Sequence, residues 1–146
     1  MNMKLKEAFF EDVNVGDEVS LTKGPITRTQ IVQYAGASGD FNPMHHDERM
    51  AVGQYAEETV FAHGMVSFGF VAQMLTDNFG VGIIRKNRAR FTWQVRPGDI
   101  LTFKGKVMKK YTEKGINYID IETKGKNQYD HPTLIGEATL ILPSKK

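Results

Sequence analysis

The sequence predicts an α+β domain in which a curved antiparallel sheet wraps one central, buried helix. Three observations predict it. Gly64 to Leu75 is apolar on nearly every face for about three helical turns, which marks a helix buried all round and too short to span a membrane. From Ala89 onward, apolar and polar residues alternate with period two between short turns, the pattern of antiparallel strands with one wet face. The 146 residues carry no internal repeat and no linker, so they make one domain spanning 1–146. One apolar helix and one half-apolar sheet bury both surfaces if the sheet curls around the helix, which is the hot-dog arrangement.

Near the N-terminus, Glu18 to Leu21 is a candidate strand. Thr27 can cap a helix with Ile31, Tyr34 and Ala35 on one face, which Gly36 and Gly39 end near Ser38. Asp40 to His45 follows as a tight non-helical loop, because Pro43 pushes Asn42 out of the α region. Glu48 to Val52 makes another helical turn or two, and the Gly64 helix comes next. In the first predicted strand of the second half, Ala89, Phe91, Trp93 and Val95 face one way and Arg88, Arg90, Thr92 and Gln94 the other. Arg96-Pro97-Gly98-Asp99 is a turn. Leu101, Phe103, Gly105 and Val107 then oppose Thr102, Lys104 and Lys106. After a Lys114-Gly115 turn, Ile119, Ile121 and Thr123 oppose Tyr118, Asp120 and Glu122. A polar loop with Asn127, Asp130 and Pro132 leads into the last strand, Thr133 to Leu142.

Composition narrows the function. With no cysteine there is no disulfide framework and no thiolate catalysis. The net charge of +2 and scattered basic residues argue against nucleic-acid binding. The N-terminus carries acid by Glu7 and no long apolar run, so it does not read as a signal peptide, and a cytoplasmic location is expected.

The segment Ser38-Gly39-Asp40-Phe41-Asn42-Pro43-Met44-His45 places a carboxylate and an imidazole five residues apart. Adding water across an α,β-unsaturated thioester needs a proton taken from water, a proton given to the α-carbon, and support for charge on the thioester oxygen. An Asp–His pair gripping one water serves the first two needs. A backbone N–H at a helix start serves the third. His63-Gly64-Met65 opens the apolar helix, and Gly64 without a side chain lets a ligand carbonyl approach its N–H.

These residues resemble the signature of the MaoC-like, (R)-specific enoyl-CoA hydratase family: Tyr34, Ser38, Gly39, Asp40, Asn42, Pro43, His45 and Ala51, with His63-Gly64-Met65 as a second landmark. The resemblance runs from about Val15 to Pro143, includes Phe91 and Pro97-Gly98-Asp99, and is nearest to short single-domain members such as dehydratase subunits of type II fatty acid synthesis. Met44 and Ala37 depart from the usual side chains but stay apolar. The resemblance implies a hydratase/dehydratase interconverting 2-enoyl and (R)-3-hydroxyacyl thioesters of coenzyme A or acyl carrier protein, without cofactor. It implies Asp40 and His45 as the catalytic pair and the Gly64 N–H as donor to the thioester carbonyl, with Asn42 holding the loop. Asp40 is assigned as base towards water and His45 as its partner, with the reverse assignment left open. Met65, Phe68, Phe70, Met74 and Phe79 are candidates for the acyl pocket.

The plainer readings stand beside these. Asp40 and Asn42 are good turn residues in any loop. His45, His46, Asp47 and His63 lack a helical metal-ligand spacing, and no metal is expected. His63 is read as structural, fixing the Gly64 turn, and His46 and His131 as exposed. Arg85, Lys86, Arg88 and Arg90 are a solvated edge by default; the sharper reading has Arg85 and Lys86 meeting the phosphates of the substrate. Two other functions compete: a thioester-binding partner subunit of a paired dehydratase, and a hot-dog thioesterase, whose usual helical carboxylate Gly64–Leu75 lacks. Exposed sheet edges predict a homodimer or higher oligomer, with a heterodimer as the alternative.

Overall fold

A computed structural model describes residues 7–81 and 83–145. The expectation of no signal peptide rests partly on Met1 to Lys6, which lie outside the described residues.

Five strands form one antiparallel sheet in the order β1-β3-β4-β5-β2: β1 (Glu18–Lys23), β2 (Ile84–Phe91), β3 (Leu101–Glu113), β4 (Ile116–Lys126) and β5 (Pro132–Ile141). The period-two pattern sets its faces. Leu101, Phe103, Val107, Ile119, Ile121, Leu134, Ala138 and Leu140 are buried. Lys104, Lys106, Lys124 and Glu137 point to solvent. The β3–β4 hairpin turns at Lys114 and Gly115, both with positive φ (50° and 79°), the geometry whose twist matches paired strands.

Helix α1 (Arg28–Ser38) begins in a capping box: the Thr27 hydroxyl accepts from Gln30 N and the Gln30 side chain accepts from Thr27 N. Gly36 stays within the helix, and Gly39, left-handed at φ 75°, ends it. Helix α2 (Glu48–Gly53) is capped by Asp47, which accepts from Arg49 N and Met50 N. Helix α3 (Gly64–Phe79) lies against the sheet and buries Ser67, Val71, Met74, Leu75 and Phe79, a single stripe at helical spacing.

Two expectations need correction here. The central helix runs past Leu75 to Phe79, because Thr76 and Asn78 turn their side chains onto helix carbonyls (Gln73 O at 3.1 Å, Met74 O at 2.8 Å) and Phe79 is buried. It is also not buried all round: Met65 is 49% exposed and Gly69 open. One sheet covers only one side of a helix, and apolar composition alone does not say which side stays open. The second correction is β2, which ends at Phe91 instead of continuing to Val95. By the β2–β5 register Trp93 falls opposite Pro132, the first residue of β5, which has no N–H to give the ladder. Phe91 and Trp93 are accordingly 44% and 46% exposed.

Candidate active site

Four short stretches converge at the start of α3. The first is the loop leaving α1, built from a ladder of side-chain-to-backbone hydrogen bonds. Asp40 N donates to Ser38 Oγ, Asn42 N to Asp40 Oδ1, and Met44 N to Asn42 Oδ1, each at 3.2 Å. Asn42 thus caps a single 3-10 turn (Pro43–His45), with Pro43 at a position that needs no N–H. Asn42 therefore holds the loop's shape. The same ladder occupies Asp40 Oδ1 and leaves Oδ2 free, on a side chain 54% exposed.

The second stretch is the Phe61 backbone, and it decides the chemistry of His45. His45 is 8% exposed, and its Nδ1 lies 2.7 Å from the Phe61 carbonyl. A carbonyl only accepts, so Nδ1 carries the hydrogen and Nε2 of the neutral ring carries a lone pair. Burial pushes the His45 pKa below its ordinary 6.5, outweighing the Phe61 carbonyl and the Asp40 carboxylate, which favour the charged form. The ring is thus held as a neutral base beside a carboxylate.

The third is His63, 3% exposed, its ring against that of His45 with centroids 3.8 Å apart and planes tilted by 30°. Its Nε2 donates to the Asp40 carbonyl at 2.9 Å and lies 3.9 Å from Asp40 Oδ2. The fourth is the first turn of α3. Gly64, as the first helical residue, has an N–H with no partner inside the helix. A Cβ on Gly64 would lie 2.6–2.7 Å from Cγ, Cδ2 and Cε2 of Phe91. This adds a reason for glycine here beyond ligand access to its N–H: the space a side chain would take is filled by the Phe91 ring. Phe61, Gly64, Phe91, Trp93 and Gln94 line a surface groove of about 510 Å³ in front of the helix start.

Asp40, His45 and His63 can each bring one ligand atom within 4.8 Å of the others. With His45 Nδ1 and His63 Nε2 each donating to a carbonyl, the ring lone pairs left are those of His45 Nε2 and of His63 Nδ1, which is buried without a partner.

The structure thus brings Asp40, Asn42, His45 and Gly64 together. It does not bring Arg85 and Lys86 there. They lie at the opposite end of β2 from Phe91, roughly 20 Å away at strand spacing, and Lys86 pairs with Glu137 at 3.3 Å. Met65 is on the open side of α3, whereas Met74 and Phe79 are core residues and Phe68 and Phe70 half-buried against them. His46 is exposed; His131 is half-buried, stacked under Trp93 with centroids 4.3 Å apart. The longer α3 also contains Asp77, so this helix is not free of acids, but Asp77 is exposed and roughly 20 Å along the axis from Gly64. Sequence reasoning missed two contributors. Nothing in a side-chain pattern flags the Phe61 carbonyl, and alternation alone assigned Phe91 to the core.

The model of the MaoC like domain matches residues 10–127. An (R)-specific enoyl-CoA hydratase of Rhodospirillum rubrum is 40% identical over 100 residues, covering 64% of this chain and 65% of that protein, so the match spans just under two thirds of the relative. A 3-hydroxybutyryl-CoA dehydratase of Methylorubrum extorquens is 28% identical over 145 residues, 98% of this chain and 89% of the other. Among solved structures, the unliganded R-hydratase PhaJ1 from Pseudomonas aeruginosa superposes with a TM-score of 0.83 at 28% identity, over 93% of this chain and 86% of that one.

Proposed function

This chain belongs to the MaoC-like domain family, and on that premise we propose that it is a hydro-lyase interconverting 2-enoyl and (R)-3-hydroxyacyl thioesters. The observation that carries the reading is the neutral His45 ring, its Nε2 lone pair left free by the Phe61 carbonyl, beside Asp40 and the start of α3. The relatives named as hydratase and dehydratase support the same reaction in its two directions.

Water is held between Asp40 Oδ2 and His45 Nε2. Its oxygen bonds to the β-carbon of the enoyl thioester while His45 takes one proton. Charge that develops on the thioester oxygen is met by the Gly64 N–H at the positive end of α3. The His45 imidazolium, stabilised by Asp40, then gives its proton to the α-carbon and returns to neutral. One water is added, no electrons are exchanged, and dehydration is the reverse path. The base towards water in this scheme is His45, whereas the sequence leans to Asp40 as that base with His45 supplying the proton. A carboxylate is the weaker base at neutral pH, and one of its oxygens is already committed to Asn42 N.

The substrate is an acyl-CoA or acyl-carrier-protein ester. The open sheet edges β1 and β2 and the open side of α3 at Met65 favour a homodimer or higher oligomer, with a heterodimer as the other arrangement. Among the described residues no helix is long and apolar enough to cross a membrane, and a cytoplasmic setting goes with this reading. A phosphate-binding role for Arg85 and Lys86 requires the coenzyme to run the length of β2. Changing both to Ala then raises KM for coenzyme A esters, and an unchanged KM removes them from the site.

The direct test is loss of the enoyl-thioester absorbance when pure protein meets crotonyl-CoA, followed by a longer enoyl thioester. Hydration of either supports the reading; inertness to both, with tight binding, moves it to a thioester-binding partner subunit. Release of free thiol marks a thioesterase instead. The pH profile follows from His45. The reaction needs the neutral ring, so kcat/KM is full above the His45 pKa and falls as pH drops through it. Burial holds that pKa below 6.5, so the acid limb lies below 6.5. An acid limb above 6.5 contradicts the assignment.

A further inference from the structure

His63 is used by none of these steps, yet it touches all of their parts. It is buried, its Nε2 donates to the Asp40 carbonyl, its ring covers one face of His45, and its own carbonyl bonds Val66 N in the first turn of the helix that begins at Gly64. Tyr34 of α1 also packs against it, with centroids 4.9 Å apart and planes tilted by 51°. The Nδ1 atom is buried with no hydrogen-bond partner. A histidine kept only to fill space would not need a polar atom there, since leaving a buried acceptor unmet costs stability. A purely structural turn residue would also not need to reach back to the Asp40 backbone.

We propose that His63 is a positioning residue that joins the catalytic loop to the start of α3, holding Asp40 by its carbonyl and His45 by its ring face, so that base, carboxylate and Gly64 N–H keep one geometry. The inference rests on the hydratase reading for its kinetic consequences. It rests on contacts alone for its effect on His45. The titratable groups facing His45 are His63 across the ring, with Asp40 and His46 from its own segment; Tyr34 packs against His63. A second imidazole against the His45 face opposes a positive charge there, in the same direction as burial.

Two substitutions separate the contacts. His63→Gln keeps an N–H donor at about the Nε2 position but removes the ring. His63→Phe keeps a ring to stack but removes the donor. The expected result is that kcat falls at least about tenfold in His63→Phe, with KM little changed, because small misplacements of catalytic groups are costly. His63→Gln recovers most of that loss. The chain has only four histidines, so the imidazole titration of His45 can be followed by NMR without substrate. Its midpoint moves to higher pH in both variants. If folded His63→Phe retains wild-type kcat, or if neither variant moves the His45 midpoint, the proposal is overturned. Should His63→Phe fail to fold, His63→Gln decides it through the midpoint alone. A wild-type protein inert to every enoyl thioester overturns the functional reading instead, and the NMR arm still judges the contact between the two rings.

Discussion

Replacing His45 with Gln, or Asp40 with Asn, lowers kcat for enoyl-thioester hydration by about 10²- to 10⁴-fold, the range for loss of a positioned acid or base. Gln at 45 places its amide near the Nε2 position, so it gives up the Nδ1 bond to the Phe61 carbonyl, which thermal unfolding reports, and an amide accepts no proton from water. Asn at 40 can still accept from Asn42 N through its carbonyl oxygen, so the ladder Ser38–Asp40–Asn42–Met44 survives. What is lost is the negative charge beside His45. Asp40 is more than half exposed, so its replacement leaves Tm close to wild type. The measurement is steady-state hydration of crotonyl-CoA alongside thermal unfolding. A folded variant of either kind that keeps more than about a tenth of wild-type turnover ends the assignment of that residue.

Gly64→Ala is the second large effect, and its cause is a matter of space. The added Cβ would lie 2.6–2.7 Å from three atoms of the Phe91 ring, including Cγ at its root, so rotating the ring tip does not relieve the clash. Either α3 shifts or Phe91 swings into the groove that fronts the Gly64 N–H. Both move the proposed donor away from the thioester oxygen, and loss of such a donor costs about a hundredfold or more in kcat. If the clash is the whole cause, the double variant Gly64→Ala/Phe91→Ala matches Phe91→Ala alone in Tm and in activity. Such non-additivity is what contact between two sites produces. Additive losses would instead restore the view that glycine is needed for ligand access.

Most of the site's membership could be read along the chain, because its residues are close in sequence and chemically unusual together. Asp40, Asn42, Pro43 and His45 form one local turn, and local hydrogen bonding builds it. The arrangement of one helix against one sheet was legible for a similar reason: helical and strand periods are local properties, and Thr27, Gly39 and Lys114-Gly115 mark their ends. Errors arose where local pattern had to stand in for a partner. Phe91 and Trp93 alternate like strand residues, but the residue of β5 that falls opposite Trp93 is Pro132, which has no N–H to continue the ladder.

The sequence by itself determined the fold class, the inward and outward faces of β3 and β4, and the candidate pair Asp40 and His45. Only the tertiary structure decided which nitrogen of His45 is free, since that depends on the Phe61 carbonyl, sixteen residues away and invisible to any side-chain pattern. It alone showed that Gly64 makes room for Phe91, and that His63 bridges the loop and the helix. It also separated Arg85 and Lys86 from the site by the length of a strand. The physical division is one of range. Periodicity and capping act within a few residues, whereas tautomer, close approach and charge placement depend on atoms that only the folded chain brings together.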